Sequence, residues 1–201
     1  MSTTSNRVKL LAILGLFVFP LALAALMYSG KLPLFSGETV NQGKLLQPLV
    51  PLDWSSASPG SGSQNSDDLL GSWVILLPLP ETCEQDCLNK VIGIRQVHRA
   101  SGREQHRIRL VLLTENPLAE KARQQYLGIY DQFTLISDSN LVLHHGLQTL
   151  AEQHQLEADT MISYLVDPLG NLMMAYDMPD SETRMSKDLK RLLTWSKQDK
   201  G

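Results

Sequence analysis

Cysteine is scarce in this 201-residue chain: Cys83 and Cys87 are the only two. An excess of positive charge is missing as well. Lys and Arg number 18 against 21 Asp and Glu, and the net charge of −3 leaves no basic footprint for nucleic acid. There is no internal repeat, phosphate-binding loop or metal-hydrolase spacing. No nucleophile–base constellation appears either, so the residues give no sign of a hydrolase or a transferase. Long apolar runs are also missing, with one exception.

That exception is Leu10 to Tyr28, 19 residues broken only by Gly15 and Pro20. As a helix it would span roughly 28 Å, close to the hydrocarbon thickness of a bilayer. Arg7 and Lys9 precede it, so the positive-inside bias places residues 1–9 in the cytoplasm and the chain after Ser29 on the far side. A cleaved signal peptide ending near Ala22-Leu23-Ala24 is the rival reading. The apolar run continues through Leu26-Met27-Tyr28, which favours an uncleaved anchor at residues 10–28. The expected location is the inner cell membrane, single-pass, with the C-terminal domain in the periplasm. Beyond the anchor about 170 residues remain, enough for one domain with a real core.

The two cysteines follow the apolar run Trp73-Val-Ile-Leu-Leu-Pro-Leu-Pro80. A strand that ends in C-x-x-x-C and enters a helix is where thioredoxin-like folds place working thiols. Residues four apart on a helix share a face, with Cβ atoms roughly 5–6 Å apart. A disulfide wants about 3.8 Å, so a bridge would distort that first turn. Two thiolates on one face can instead grip a soft ion such as Cu(I). In an oxidising compartment the pair has three open fates: structural disulfide, redox pair or metal site. A helix N-terminus favours the thiolate, while Glu81, Glu84 and Asp86 oppose further negative charge.

Residues 29–68 read as a stalk and flexible approach segment, and 69–201 as the domain. Within the approach, a short edge strand begins near Gly43 and is ended by Pro48. Trp54 to Asp67 is rich in Ser, Gly and Pro and reads as a mobile loop. From Gly71 strands and helices alternate. Strands are expected over 72–77, 107–113, 133–136, 161–166 and 171–176. Helices are expected over about 84–100, 118–127, 141–154 and 181–197. Leu88, Val91, Ile92, Ile94 and Val97 form the inner stripe of the first helix, and Gly102 stops it. Asp167-Pro-Leu-Gly170 turns the last two strands into a hairpin. This order is that of a thioredoxin-like α/β domain, here behind a single N-terminal transmembrane helix. His98, His144, His145 and His154 are expected to be solvated or capping. Met161, Met173, Met174 and Met185 are expected to pack in the core. Asp67-Asp68 reads as a solvated loop end or a cap, and Arg99, Arg103 and Arg107 as an exposed face.

The anchor, the strand entering Cys83-Glu-Gln-Asp-Cys87 and the segment Tyr164-Leu-Val-Asp-Pro-Leu-Gly170 together resemble the Sco/SenC family. These are thioredoxin-like, membrane-anchored factors of cytochrome c oxidase assembly, and the likeness covers roughly Leu69 to Trp195. The resemblance implies copper, as Cu(I), held by Cys83 and Cys87. It also implies a respiratory oxidase subunit or another assembly factor as partner. The family's third copper ligand, a histidine before the hairpin, is matched here by Asp159, a hard and poor substitute. Its absence shifts weight from copper handling towards thiol reduction by the same pair. A broad thiol-disulfide oxidoreductase would carry C-x-x-C and a proline before the hairpin, where this chain has Asp159-Thr160. A third reading keeps the fold as an interaction module, with Cys83–Cys87 a static disulfide.

Overall fold

The computed structural model describes residues 3–28, 41–54, 58–59, 69–157, 161–178 and 180–196. The expected stalk over 29–40, Asp67 and Asp68, Asp159 and Thr160, and residues 197–201 lie outside them. The chain divides into two compact units, Met1–Val40 and Asn41–Gly201. In the first, α1 runs Thr3–Tyr28 with Pro20 inside it. Its described apolar side chains, Leu10, Leu16, Phe17, Phe19 and Leu21 among them, are exposed. Among the described residues no helix is long and apolar enough to cross a membrane, so the anchor over residues 10–28 remains a proposal.

The second unit is built on one seven-stranded sheet in the order β1-β7-β6-β3-β4-β5-β2. The strands are β1 (Lys44–Pro51), β2 (Ser58–Pro59), β3 (Trp73–Pro78), β4 (Ile108–Thr114), β5 (Phe133–Ser137), β6 (Ser163–Val166) and β7 (Asn171–Tyr176). The helices are α2 (Gln85–Ala100), α3 (Glu120–Ile129), α4 (Val142–Gln153) and α5 (Ser181–Trp195). β3, β4 and β5 are parallel, as strand–helix–strand crossovers require, while β6 lies antiparallel beside β3 and β7 antiparallel beside β6. β3 is apolar throughout because both of its faces are covered. On one face Ile75 and Leu77 pack with Val91, Ile94 and Val97 of α2 and Met185, Leu189 and Leu193 of α5. On the other, Val74 and Leu76 pack with Leu143, Leu147 and Leu150 of α4. Ile75, Leu76 and Leu77 are fully buried, each contributing roughly 1.5–3 kcal/mol.

Three local expectations are corrected. Pro48 does not end β1: the strand runs on to Pro51, with its register on β7 shifting between Leu45 and Val50. A proline is tolerated there because β1 is an edge strand. The Ser/Gly/Pro-rich loop contributes β2, a two-residue strand on β5. Arg107 does not share the exposed face expected with Arg99 and Arg103. Gly102 does stop α2, at φ +57°, but a 3-10 helix over Gly102–Arg107 follows. It aims the Arg107 guanidinium at the Leu193 carbonyl (2.9 Å), Ser196 Oγ (2.6 Å) and Glu104 (3.0 Å).

Before β1, the amides of Gln42 and Gly43 donate to the carboxylate of Asp188 on α5, at 2.8 and 2.9 Å to Oδ2. Tyr176 Oη donates to the same oxygen at 3.1 Å. Asp188 is only 1% exposed, so these three donors replace the water it has lost. Gly43 is required here, since a Cβ would come within 2.6 Å of the Tyr176 ring.

Candidate functional site: a disulfide at the end of the central strand

After β3 the chain keeps parallel pairing for one more residue, Leu79 N–H donating to the Leu113 carbonyl at 2.7 Å. It then turns through Pro80, Glu81 and Thr82. Glu84 is extended (φ −81°, ψ −171°) at the N-cap of α2, and its carbonyl accepts the Leu88 amide at 3.0 Å. Cys83 therefore precedes the helix and Cys87 lies in its first turn. The two thiols do not share a helical face, as their spacing had suggested. Because the extended Glu84 separates Cys83 from the helix, the Cα atoms come to 5.2 Å and a Cys83–Cys87 disulfide forms without distorting the helix. Cys87 is buried at 4% exposure among the core residues under α2, while Cys83 is half-buried at its edge. Glu81, Glu84 and Asp86 are exposed around the pair.

Beside Asp86 a groove of about 890 Å³ opens between α2, as far as Gln96, and the first turn of α5. Met161, Met178 and Asp180 line it with Lys90 and Glu182. Lys90 Nζ is held by the Glu182 carboxylate at 3.2 Å and by Ser181 Oγ. Gly93 permits this approach, since a Cβ there would come within 2.7 Å of the Glu182 side chain. Of the four methionines expected in the core, Met174 and Met185 are fully buried and Met173 partly so. Met161, half-buried like Met173, packs against the same core cluster and also lines the groove, where Met178 joins it. The signal for this pair was in the hairpin register. Ser163 pairs with Tyr176, so two residues further out Met161 and Met178 fall opposite one another.

The chain just before Asp159 is tied down at Gln155 and Glu157. Asp177 accepts Lys44 Nζ at 2.6 Å and the Glu157 amide at 2.9 Å, and Lys44 also reaches the Gln155 carbonyl at 3.3 Å. Burial raises the Asp177 carboxyl, but the Lys44 ammonium and the Glu157 amide outweigh it and hold the group below its ordinary value.

The histidines are placed away from the disulfide or are already engaged. His98 is not solvated as expected but 2% exposed, with Nδ1 3.0 Å from Tyr130 Oη and Nε2 3.2 Å from the Gln105 carbonyl. Burial lowers its imidazole from the ordinary 6.5, against backbone hydrogen bonds to Gln105 and Ile108 that raise it. His144 sits at the start of α4, on the other face of the sheet. Its Nδ1 lies 2.9 Å from the buried Asp138 carboxylate, which also accepts its amide at 2.8 Å. His145 is exposed and His154 ends α4. Among the described residues no three of His, Cys, Asp and Glu converge as a metal site.

A central parallel sheet sandwiched by helices, an antiparallel hairpin beside it and a cysteine pair at the strand-to-helix junction define a thioredoxin-like protein. The chain belongs to the family of transmembrane-like, thioredoxin-like C-terminal domains, whose pattern matches residues 73–196. Yeast Sco1 with copper bound has a similar structure, with a TM-score of 0.53 and 13% identity over 76% of this chain and 92% of that one. Peroxiredoxin Q of Xanthomonas campestris, in a cysteine-to-serine mutant form, is similar at a TM-score of 0.51 and 12% identity, over 72% of this chain and 97% of that one. At such identities the likeness is one of fold. None of the curated proteins matches the chain in sequence.

Proposed function

We propose that the chain is a membrane-anchored, periplasm-facing factor of the Sco/SenC kind, working through Cys83 and Cys87 in the assembly of a respiratory cytochrome c oxidase. The observation that carries this is the disulfide at the end of the central strand. Its two sulfurs differ in access: Cys83 is half-buried and Cys87 buried. Cys83 is accordingly the sulfur that a partner thiolate reaches and Cys87 the one that closes the ring.

Written as chemistry, the reduced pair attacks a partner disulfide through Cys83 and forms a mixed disulfide. Cys87 then displaces the partner thiol. Two electrons and two protons pass to the partner, and the Cys83–Cys87 bond is restored. The formed disulfide favours this redox use. With the bond open, the same sulfurs are two soft donors suited to Cu(I) as cargo. His98 and His144 are engaged elsewhere, so neither supplies the nitrogen that Cu(II) prefers.

Alkylation of thiols in protein taken straight from membranes, with and without reductant, tests the pair. We expect no reactive thiol before reduction and two after it, with the bond re-forming on oxidant. A bond that resists dithiols in the folded protein would instead support the static disulfide of an interaction module. Copper titration of the reduced protein should show Cu(I) bound and Cu(II) held poorly. Asp159→His should strengthen Cu(II) binding, and Cys83→Ser or Cys87→Ser should abolish Cu(I) binding.

A further inference from the structure

The end of the second unit opposite the disulfide carries most of its exposed apolar side chains. Outside α1, the large apolar residues exposed among the described ones are Leu49, Leu70, Val142, Leu169 and Trp195. All but Val142 lie at this end. β3 runs towards Cys83, so its start, the 167–170 turn and the C-termini of α2 and α5 share the far end. There Gly71 N–H donates to the Pro168 carbonyl at 2.8 Å and Leu52 N–H to the Gly170 carbonyl at 3.0 Å. A Cβ on Gly170 would come within 3.1 Å of Leu70. Leu70, Leu169 and the end of β1 are thus neighbours. Arg107 ties the end of α5 to the start of β4 through the Leu193 carbonyl and Ser196, and Trp195 between them is 70% exposed. From β4 to the hairpin is two strand spacings, roughly 10 Å. Charge is divided between the two ends. Glu81, Glu84, Asp86 and Asp180 are exposed at the disulfide end. At the far end Arg99, Arg103 and Lys190 are exposed, and Lys190 lines a small cavity with Ala100 and Thr194, the neighbours of Arg99 and Trp195. Of the carboxylates there, Glu104 is held by Arg107, and Asp167 accepts the amides of Leu169 and Asn171. Asp53 and Asp131 stand towards the two sides of the sheet, after β1 and before β5.

We propose that this end docks on an anionic lipid surface, with Trp195, Leu169 and Leu70 entering the interface and Arg99, Arg103 and Lys190 meeting the headgroup phosphates. The docking goes beyond the cysteine chemistry and rests on the membrane reading of residues 10–28 only for bringing a bilayer within reach. Tryptophan favours the boundary between hydrocarbon and water, where its ring is apolar and its N–H stays wet. Basic side chains beside anionic headgroups add an attraction that a zwitterionic surface lacks. The same surface repels the acidic disulfide end, so one charge distribution sets which pole docks and which pole reacts. β3 spans six residues, and docking therefore holds the Cys83–Cys87 bond roughly 20 Å off the lipid, open to a partner. The second unit begins at Asn41, at its disulfide end. Residues 29–40 reach at most about 40 Å, enough to pass the height of the sheet.

The test reconstitutes the full chain in vesicles of phosphatidylcholine, with or without phosphatidylglycerol, using lipids brominated in the acyl chains as quenchers. Trp54 and Trp73 are each 6% exposed, so Trp195 is the one of the three tryptophans placed to meet bromine. We expect quenching in the anionic vesicles that high salt reverses and Trp195→Phe largely removes. Arg99→Gln/Arg103→Gln should lower the docked-to-free ratio by more than about tenfold, at about fivefold for each cation lost. Circular dichroism of each variant checks that the fold is intact. Equal quenching in the zwitterionic vesicles, or none in either, overturns the assignment. A dimer in detergent that Leu169→Ser abolishes, with no quenching in anionic vesicles, gives this end to a second copy of the chain and overturns it too. Extraction with alkaline carbonate reads the anchor separately. A chain that resists extraction but shows no quenching loses the docking alone. A chain that is stripped loses the anchor reading, and its quenching before extraction still decides the docking.

Discussion

Asp188 and His98 are both buried polar side chains, and both act as internal fasteners. Replacing Asp188 with Ala leaves two backbone amides and the Tyr176 hydroxyl without their acceptor, which should cost roughly 3 kcal/mol. Tyr176→Phe removes one donor and should cost roughly 1–2 kcal/mol; denaturant midpoints would measure both. His98 gives a pH signature. Its imidazole titrates below the ordinary 6.5 in the folded state, so below that value the unfolded chain takes up a proton that the folded one refuses. The contribution of neutral His98 is therefore complete above 6.5 and is lost as pH falls from there through the folded value. Thermal unfolding of His98→Gln should lack this slope. The loss due to Asp177, whose carboxyl sits below its ordinary 3.8, lies in a separate and more acidic window. No sequence pattern announced His98 as a strap, because its partners at Gln105 and Tyr130 come from segments that only the tertiary fold brings together.

The elements were legible in the sequence wherever apolar periodicity was long and bounded by turn chemistry. β3, β4, β5, β7 and the four helices lie within about two residues of expectation, the ordinary scatter of element ends. The misses have physical causes. β1 outlasts Pro48 because an outer edge needs no ladder donor at every residue, which a reading of proline as a stop overlooks. β7 carries an irregularity between its pairings of Leu172 with Val166 and Met174 with Leu165, so Leu172 and Met174 face opposite layers. Strict alternation would have put them together. The disulfide's fate stayed open because helical spacing alone ignores the extended residue that separates Cys83 from α2. Gly170 tests the hairpin: it has φ +89°, and an added Cβ would come within 3.1 Å of Leu70. Gly170→Ala should cost about 1–2 kcal/mol, read from the unfolding midpoint. On α5, Leu189 is fully buried, and Leu189→Ala should cost about 2–5 kcal/mol through the cavity it leaves.

At the scale of the molecule, the fold and the proposed role predict a simple topology. A reporter fused after residue 201 should be active only on the non-cytoplasmic side. A fragment starting at Asn41, where the compact unit begins, should be soluble. A fragment found only in membranes or aggregates would show that the single-anchor reading is wrong. The fastening of Gln42 and Gly43 also has a mechanical side. β1 is an outermost strand, held to the sheet through β7 alone, and a pull on its leading end would unzip it one hydrogen-bond pair at a time. The buried Asp188 carboxylate grips the chain two residues upstream of that strand. A tug arriving through the preceding residues is thus taken up by the body of α5 before it reaches the zipper. The domain can be held on a leash without the leash unravelling it.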